Sequence, residues 1–319
     1  MSSTPHHRAD HEAGVGQGQL IEVSEGIFAW IQPDGSWWIN NCGALIGREG
    51  VLSIDTCATE RRTRSFLAAV SNVTAAPVRT LINTHHHGDH THGNGLVPTA
   101  TIIGHHRCRE LMLESGLLRL DSVWPGVDWG ELTLAPPFVT FDDTLTVWVD
   151  RADDALEVQL RHIGPAHTTN DVIAYLPARK VLFSGDLVFN GGTPFVLMGS
   201  VTGALASLDT IRAICAETIV PGHGPVCTPA VLDGIASYYR FVLALAERGR
   251  AAGLTPLELA READLGEFSD LLDAERIVGN LYRAYADLDG SEPGRPIEIG
   301  AAIGDMIAYN GGRPLRCLA

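Results

Sequence analysis

The segment NTHHHGDHTHGN, residues 83–94, holds five histidines and one aspartate within twelve positions. Packing alone does not call for so many titratable side chains in one run, and metal binding is the chemistry that they suggest. His85, His87, Asp89 and His90 form the pattern H-x-H-x-D-H. Imidazole and carboxylate ligands suit Zn²⁺ and its neighbours better than Mg²⁺ or Ca²⁺. Because VRTLINT predicts a strand just before, side chains two positions apart point the same way and can converge on one ion.

Three further residues of ligand type stand beside glycine at the ends of predicted strands. They are His167 in GPAHT, Asp186 in FSGD and His223 in VPGHG. Glycine lets the backbone pass close to a site. We therefore expect two groups of metal ligands joined by a shared carboxylate. The first group is His85, His87 and His167; the second is Asp89, His90 and His223; Asp186 bridges them.

The elements that must position these ligands alternate between strands and helices. Apolar runs bounded by glycine, such as CGALIG and GVLSIDT, predict buried strands, and residues 59–72 predict an amphipathic helix. Two strand-and-helix halves each contain a strand that ends in aspartate, at residues 54–56 and 184–186. This pseudo-repeat predicts an α/β fold, an αββα sandwich of two sheets between outer helices.

The domain organisation follows from composition and periodicity. Residues 1–18 are rich in Gly, His and Ser and predict a flexible leader, residues 19–228 predict the sandwich core, and residues 229–319 predict a C-terminal helical elaboration. No flexible linker separates the last two segments, so we expect one domain.

Bulk composition excludes several function classes. The formal net charge is −15 with only 23 Lys and Arg, which argues against a nucleic-acid partner. The chain shows neither an apolar run of about 18 residues nor a signal-peptide core, so we expect no membrane association and a cytoplasmic location. Six scattered cysteines without a CxxC pair predict buried apolar side chains and no disulfide framework.

The order H-x-H-x-D-H, GPAHT, SGD and PGHG resembles the metallo-β-lactamase fold over residues of about 20–227. His87 in place of a glutamate disfavours the di-iron flavoprotein branch of that superfamily. Asp186, where zinc β-lactamases carry a cysteine, disfavours their activity. The resemblance implies that Asp55 in IDT holds a ligand or its loop, and that Asp89 is catalytic as well as a ligand. Two Zn²⁺ ions would supply a hydroxide at neutral pH and stabilise an oxyanion.

A narrower resemblance concerns longer stretches at residues 124–147 and 183–209 and the C-terminal AYNGGRPLRCLA. They are similar to the second-ring cyclases of aromatic type II polyketide pathways, of the actinorhodin type. The resemblance implies an intramolecular aldol ring closure on an aromatic polyketide carried by an acyl carrier protein, with thioester hydrolysis and a homo-oligomer left open. The residues expected to line the substrate pocket are Trp124, Trp129, Thr193 and Phe195.

Several alternatives remain open on the sequence. A generic metallohydrolase, such as a thioesterase of the glyoxalase II kind, a lactonase or another esterase, needs the same ligands. A non-catalytic metal-binding scaffold is disfavoured because the ligand set is intact. Arg61, Arg62 and Arg64 predict either a basic patch for a carrier protein or a solvated helix face. By strand parity His86 points away from its neighbours and has a structural role, and His92 lies either at the pocket mouth or in the core.

Overall fold

The first sheet gathers seven of the strands in the order of the sequence. In this computed structural model, residues 18–151 and 154–319 are described, so almost all of the leader predicted over 1–18 lies outside them. Strands β1 to β4 are antiparallel and β4 to β7 are parallel. The strands are β1 Gln19–Ser24, β2 Ile27–Ile31, β3 Cys42–Ile46, β4 Val51–Ile54, β5 Val78–Ile82, β6 Thr101–His105 and β7 Val139–Phe141.

The second sheet has five strands and is antiparallel except for its last pair. Its order is β12-β11-β10-β9-β8, and β11 and β12 are parallel. A strand parallel to its neighbour must be reached by a crossover, which a helix provides here between β11 and β12. The strands are β8 Thr144–Trp148, β9 Glu157–His162, β10 Val172–Leu176, β11 Val181–Phe183 and β12 Thr218–Val220.

The described residues form eight α-helices, most of which pack outside the two sheets. Thr59 begins the first of them, because its side-chain oxygen accepts a hydrogen bond from the backbone N–H of Arg62 at 3.3 Å. The helices are α1 Glu60–Ser71, α2 Gly88–Thr91, α3 His106–Ser115, α4 Val201–Ile214, α5 Val231–Ala252, α6 Pro256–Glu262, α7 Arg276–Leu288 and α8 Ile299–Tyr309.

Alternation along β11 shows how the layers assemble. Val181 and Phe183 point between the sheets, into a core shared with Ile54 and Ile82 of the first sheet. Leu182, between them, points outward into the core formed with the helices. Successive side chains of a strand face opposite sides, so a strand that is apolar throughout needs cover on both faces. The predicted αββα sandwich is confirmed.

The helical segment over 229–319 packs on the outer face of the second sheet. Leu232 of α5 and Ile277 of α7 belong to the same buried core as Leu182 and Ile219. One continuous core therefore joins this segment to the sandwich.

The helical segment predicted over 229–319 contains the helices α5 to α8, and one expectation about helix α1 needs correction. Arg62 does not belong to a basic patch, because it is 3% exposed and its guanidinium donates to Gln32 Oε1 at 2.7 Å and to the carbonyl oxygen of Asn40 at 3.0 Å.

The cysteines are all reduced, and Cys42 and Cys57 lie buried with their sulfur atoms 3.5 Å apart. Within the described residues, no helix combines the length and the apolar character that crossing a membrane requires.

Candidate metal centre

The ligand residues meet because several strands end at one edge of the sandwich. The chain leaves β5 at Ile82 and enters the histidine run, and the short helix α2 carries Asp89 and His90. Asp186 lies in a 3₁₀ turn just after β11, and His223 follows β12. Parallel neighbours end at the same side of a sheet, so sequence-distant residues at those ends become neighbours.

The first group consists of His85, His87, His167 and Asp186, whose ligand atoms lie within 4.8 Å of one another. His167 Nε2 is 2.9 Å from His87 Nδ1 and 3.3 Å from Asp186 Oδ2. His85 Nε2 is 3.9 Å from the same carboxylate oxygen. Three imidazoles and a carboxylate thus surround one point.

The second group consists of Asp89, His90, Asp186 and His223, again within 4.8 Å of one another. His223 Nε2 is 3.2 Å from Asp89 Oδ2 and 3.3 Å from Asp186 Oδ2, and His90 Nε2 is 3.0 Å from Asp186 Oδ1. Asp186 therefore stands between the groups, and the seven residues of the sequence prediction are brought together in the two predicted sets.

Asp55 holds His90 in position. Its Oδ2 accepts a hydrogen bond from His90 Nδ1 at 2.8 Å and another from the Thr84 hydroxyl at 2.7 Å, and its Oδ1 accepts from the Thr84 backbone N–H at 2.8 Å. A carboxylate that accepts from Nδ1 fixes the tautomer that leaves Nε2 free to bind a metal.

The other imidazoles that use Nε2 are held in the same way. In each, a neighbouring oxygen faces Nδ1, so that Nε2 points into the centre: His85 Nδ1 lies 3.1 Å from Thr84 Oγ1, His167 Nδ1 lies 2.5 Å from Phe195 O, and His223 Nδ1 lies 3.1 Å from Gly35 O. Outer contacts of this kind are typical of metal-binding histidines.

Two observations indicate that these residues fit a pair of Zn²⁺ ions. His85 Nε2 is buried and has no hydrogen-bond partner among the described residues, which is costly for a polar atom unless a cation binds it. Tetrahedral Zn²⁺ with bonds near 2.0–2.1 Å needs ligand atoms about 3.3 Å apart. Most of the distances above are close to that value.

The pKa values show how burial and charge compete in this centre. Burial and the neighbouring imidazole of His90 hold the pKa of His85 well below its ordinary value, so its lone pair is available to a cation. Burial opposes the charged form of His90, yet the carboxylates of Asp186 and Asp89 raise its pKa well above the ordinary value. Burial also opposes ionisation of Asp186, but the imidazoles, His223 foremost, hold its pKa well below the ordinary value.

Gly222 allows the segment after β12 to approach Asp186 closely. A Cβ at this position would lie 1.9 Å from Asp186 Oδ1 and 2.7 Å from the carbonyl carbon of Gly185. The second atom is backbone, and the Asp186 carboxylate is enclosed by the histidines of the centre, so only glycine is accommodated without displacing the carboxylate. The glycine of PGHG is thus required by close approach.

A cavity of about 990 Å³, part of it open to solvent, leads to the metal centre. Trp124 and Phe195 line it as the sequence predicts, whereas Trp129 and Thr193 do not. Trp129 is buried behind Trp38, with ring centres 4.8 Å apart, and its predicted place on the wall is wrong because Trp38 covers it. Thr193 is 3% exposed, and its carbonyl oxygen accepts a hydrogen bond from Arg276.

Several wall residues were missed by the sequence reasoning. They include Trp37, Phe189, Met198, Arg276, Ile299, Ile303 and Met306. The adjacent Trp37-Trp38 pair is the one local signal that would have suggested an aromatic wall; the helical residues carry no such signal. His92 also lines the cavity, and His86 reaches it while its Nδ1 lies 3.0 Å from Asn170 Nδ2, outside both ligand groups.

Comparisons with known proteins agree with this fold. The sequence model of the Metallo-beta-lactamase superfamily matches residues 35–223, more than half of the chain. A solved metallo-beta-lactamase from Pontibacter korlensis superposes with a TM-score of 0.58 at 20% identity, over 70% of this chain and 99% of that one.

Two curated relatives are similar over shorter stretches. The linear primary-alkylsulfatase of a Pseudomonas species is 25% identical over 260 residues, 68% of this chain and 48% of the relative. The hydroxyacylglutathione hydrolase of Nitrosococcus oceani is 29% identical over 155 residues, 45% of this chain and 47% of the relative. This chain thus spans about half the length of these relatives. With the family match and the ligand arrangement together, the chain belongs to the metallo-beta-lactamase superfamily.

Proposed function

We propose that the protein is a dinuclear zinc hydrolase that cleaves an ester or thioester with a bulky aromatic acyl group. The observation that carries the proposal is the position of the two ligand groups at the end of a cavity walled by aromatic and apolar side chains. A deep, mostly apolar pocket with a few convergent polar groups is typical of a small-molecule site.

The residues of the chain divide the work as follows. His85, His87 and His167 with Asp186 would hold one ion, and Asp89, His90 and His223 with the same Asp186 would hold the other. When bound, two Zn²⁺ ions would supply the chemistry of an activated water near neutral pH and of a Lewis acid for the acyl carbonyl group. Trp37, Trp124 and Phe195 bind the acyl group and exclude bulk water from the reacting carbonyl.

Asp89 acts here as a ligand and as an orienting acceptor, and less as a proton acceptor. Burial opposes its ionisation, but the imidazoles of His90 and His223 hold its pKa well below the ordinary value of a carboxyl group. A carboxylate so firmly ionised is a weak base at neutral pH. Its side chain is 13% exposed, on the cavity side of the second group, where it can accept a hydrogen bond from the attacking water.

The relatives favour hydrolysis over other chemistry. Those described above are named as a sulfatase and a hydrolase, and neither name refers to ring closure. The same centre with another substrate could serve as a cyclase, so the choice rests on what the cavity binds.

The second candidate function is the polyketide cyclase implied by the narrower resemblance. One observation favours it: the cavity has the aromatic walls that suit a flat polycyclic substrate. The substrate would arrive on an acyl carrier protein, and the metal centre would acidify a CH group between two carbonyls. Hydrolysis remains the better supported function because the relatives share it.

The experiment that tests the proposal uses the zinc-loaded protein with a matched pair of thioesters, acetyl and 2-naphthoyl. We expect turnover of both and a higher kcat/KM for the naphthoyl compound, by about tenfold or more, because it buries its rings against the aromatic walls. Asp186→Ala should abolish turnover, while Asp209→Ala, an exposed aspartate on α4, should not change it. The proposal fails if neither thioester is cleaved while a type II polyketide synthase mixture yields a second-ring product.

A further inference from the structure

A buried arginine lies in the cavity wall, on the helical elaboration. Arg276 is the first residue of α7; it lines the cavity and is 1% exposed although it carries a permanent charge. Charged side chains are rarely buried so completely unless a partner holds them. The residue lies outside 35–223, the part that the family model matches. Its place in the cavity is therefore a property of this chain's own C-terminal segment.

Aromatic rings fix the guanidinium group of Arg276. Its Cζ is 4.2 Å from the ring centre of Trp37 and 5.2 Å from that of Phe189. Such contacts stabilise a cation over a ring face. Trp37 is itself held, because its indole N–H donates to Glu275 Oε1 at 2.8 Å. The group is pre-organised, so a ligand that binds it would not have to order it first.

The Nε–H of this guanidinium group has no acceptor in the described part of the chain. Nη1 donates to the carbonyl oxygen of Thr193 at 3.0 Å, and Nη2 lies 2.9 Å from Asp273 Oδ2. The Nε–H is buried and lacks a hydrogen-bond partner within the described ranges. Ligand binding is stabilised when an oxygen atom of the ligand accepts a hydrogen bond from a buried donor of this kind.

The charge around Arg276 favours a neutral acceptor over an anion. Asp273 already balances the guanidinium charge, and its side chain is only 5% exposed. A carboxylate or sulfate group brought to the same place would meet that buried carboxylate. A phenol or carbonyl oxygen accepts the hydrogen bond without this repulsion.

Arg276 lies close enough to the metal centre for one ligand to reach both. The ring of Phe189 stacks on the imidazole of His223 with centres 5.1 Å apart and planes at 9°. Since Arg276 lies 5.2 Å from the same Phe189 ring, its guanidinium group and the His223 ring are within about 10 Å of each other. A fused-ring acyl group is long enough to span this distance and to contact both groups at once.

We propose that Arg276 is a specificity-determining residue that donates a hydrogen bond to a phenol or carbonyl oxygen on the far edge of a fused-ring aromatic substrate. The inference rests on the proposed hydrolase function and names the substrate class of that site. The ester or thioester carbonyl lies at the metal centre, the rings lie between Trp124 and Phe195, and the distal oxygen meets Nε of Arg276.

The test compares three methyl esters on the zinc-loaded protein: those of 2-naphthoic acid, 6-hydroxy-2-naphthoic acid and 6-carboxy-2-naphthoic acid. We expect kcat/KM for the hydroxylated ester to exceed that of the unsubstituted ester by about tenfold or more, mainly through KM. The proposal is overturned if hydroxylation brings no gain, or if the carboxylated ester is preferred to the hydroxylated one.

The matched variant removes both members of the buried ion pair, because removing Arg276 alone would leave Asp273 uncompensated. In the double variant Asp273→Asn with Arg276→Met, the ratio of the two kcat/KM values should fall to about one. Arg250→Met on α5, whose guanidinium is exposed and bonded to the carbonyl oxygen of Tyr285, should keep the wild-type ratio. Discrimination that persists in the double variant would refute the role of Arg276.

Two further measurements keep the result decisive. Arg276→Lys retains the charge beside Asp273 but lacks the Nε donor, so it should lose the discrimination even if the double variant does not fold. If the wild type cleaves none of the esters, the hydrolase proposal fails while the binding proposal is still tested. Quenching of tryptophan fluorescence by the same compounds should then show the tenfold preference in the wild type and none in the variant; equal dissociation constants in the wild type would refute it.

Discussion

Replacing Asp55 by asparagine exchanges one carboxylate oxygen, beside the second ligand group, for an amide NH₂. The carboxylate accepts three hydrogen bonds, from His90 Nδ1 and from the hydroxyl and backbone N–H of Thr84. Asparagine keeps the shape but turns one acceptor into a donor. With its oxygen bound to the Thr84 backbone N–H, the amide NH₂ faces His90. The imidazole must then accept at Nδ1 and carry its proton on Nε2, the atom that would bind the metal.

The expected magnitude follows from this contact. Loss of an outer partner of a metal-binding histidine weakens metal affinity by about 10- to 100-fold, or roughly 1.4–2.8 kcal/mol. The loss falls on the second group alone, because His90 is absent from the first. At a free Zn²⁺ concentration just sufficient to fill both positions of the wild type, Asp55→Asn should therefore bind only one equivalent tightly.

The assay is competition with a chromophoric chelator, followed by elemental analysis after dialysis. Asp287→Asn is the control, because the Asp287 carboxylate also accepts hydrogen bonds, partly buried ones from Ser200 Oγ at 2.9 Å and the Val201 backbone N–H at 2.7 Å, but lies outside both ligand groups. It should bind two equivalents. If Asp55→Asn also binds two with unchanged affinity, the orienting role of Asp55 is refuted.

Three other predictions concern the metal centre and residues outside it. Gly222→Ala should weaken metal binding by tenfold or more, because its Cβ would lie 1.9 Å from a carboxylate oxygen, while Gly234→Ala, exposed on α5 with open space, should raise stability by about 0.5–1 kcal/mol in urea unfolding. Asp186→Ala should lose bound metal and activity together, whereas His86→Ala should retain both; equal zinc content in the two variants would contradict the ligand assignment. Burial and neighbouring imidazoles lower the pKa of His105 from 6.5 to about 4. As the pH falls, His105 is therefore protonated in the unfolded chain before it is protonated in the folded one. The free energy of unfolding should fall by about 1–2 kcal/mol between pH 6.5 and pH 4. His105→Asn, whose side chain can still cap α3, should reduce this loss of stability in urea titrations at pH 7, 5.5 and 4.

The ligand arrangement could be predicted because each ligand is tied to a local pattern. His85 and His87 stand two positions apart after a strand, and strand geometry alone places them on one side. Asp186 and His223 directly follow apolar strands that only a buried sheet explains. The sheet order then brings these strand ends together, and such order is restricted to a few topologies once the alternation is known.

The cavity wall could not be predicted in the same way. Arg276, Ile303 and Met306 reach it through the packing of α7 and α8 against the core, which leaves no signature in nearby residues. Helix α8 contains Gly300 and Gly304, and glycine weakens the helical pattern in a sequence. Trp129 was misplaced for a related reason, since an aromatic residue of a long loop can fill the core as well as a pocket.

The position of Asp186 between the two ligand groups links their occupancies. Its Oδ2 lies 3.3 Å from Nε2 of His167 and 3.3 Å from Nε2 of His223, so a cation in either group shares the same negative charge. Filling one position orients this side chain for the other and at the same time reduces the charge available there. The two binding steps are therefore thermodynamically coupled, and the microscopic affinity of each position has meaning only for a stated occupancy of its neighbour.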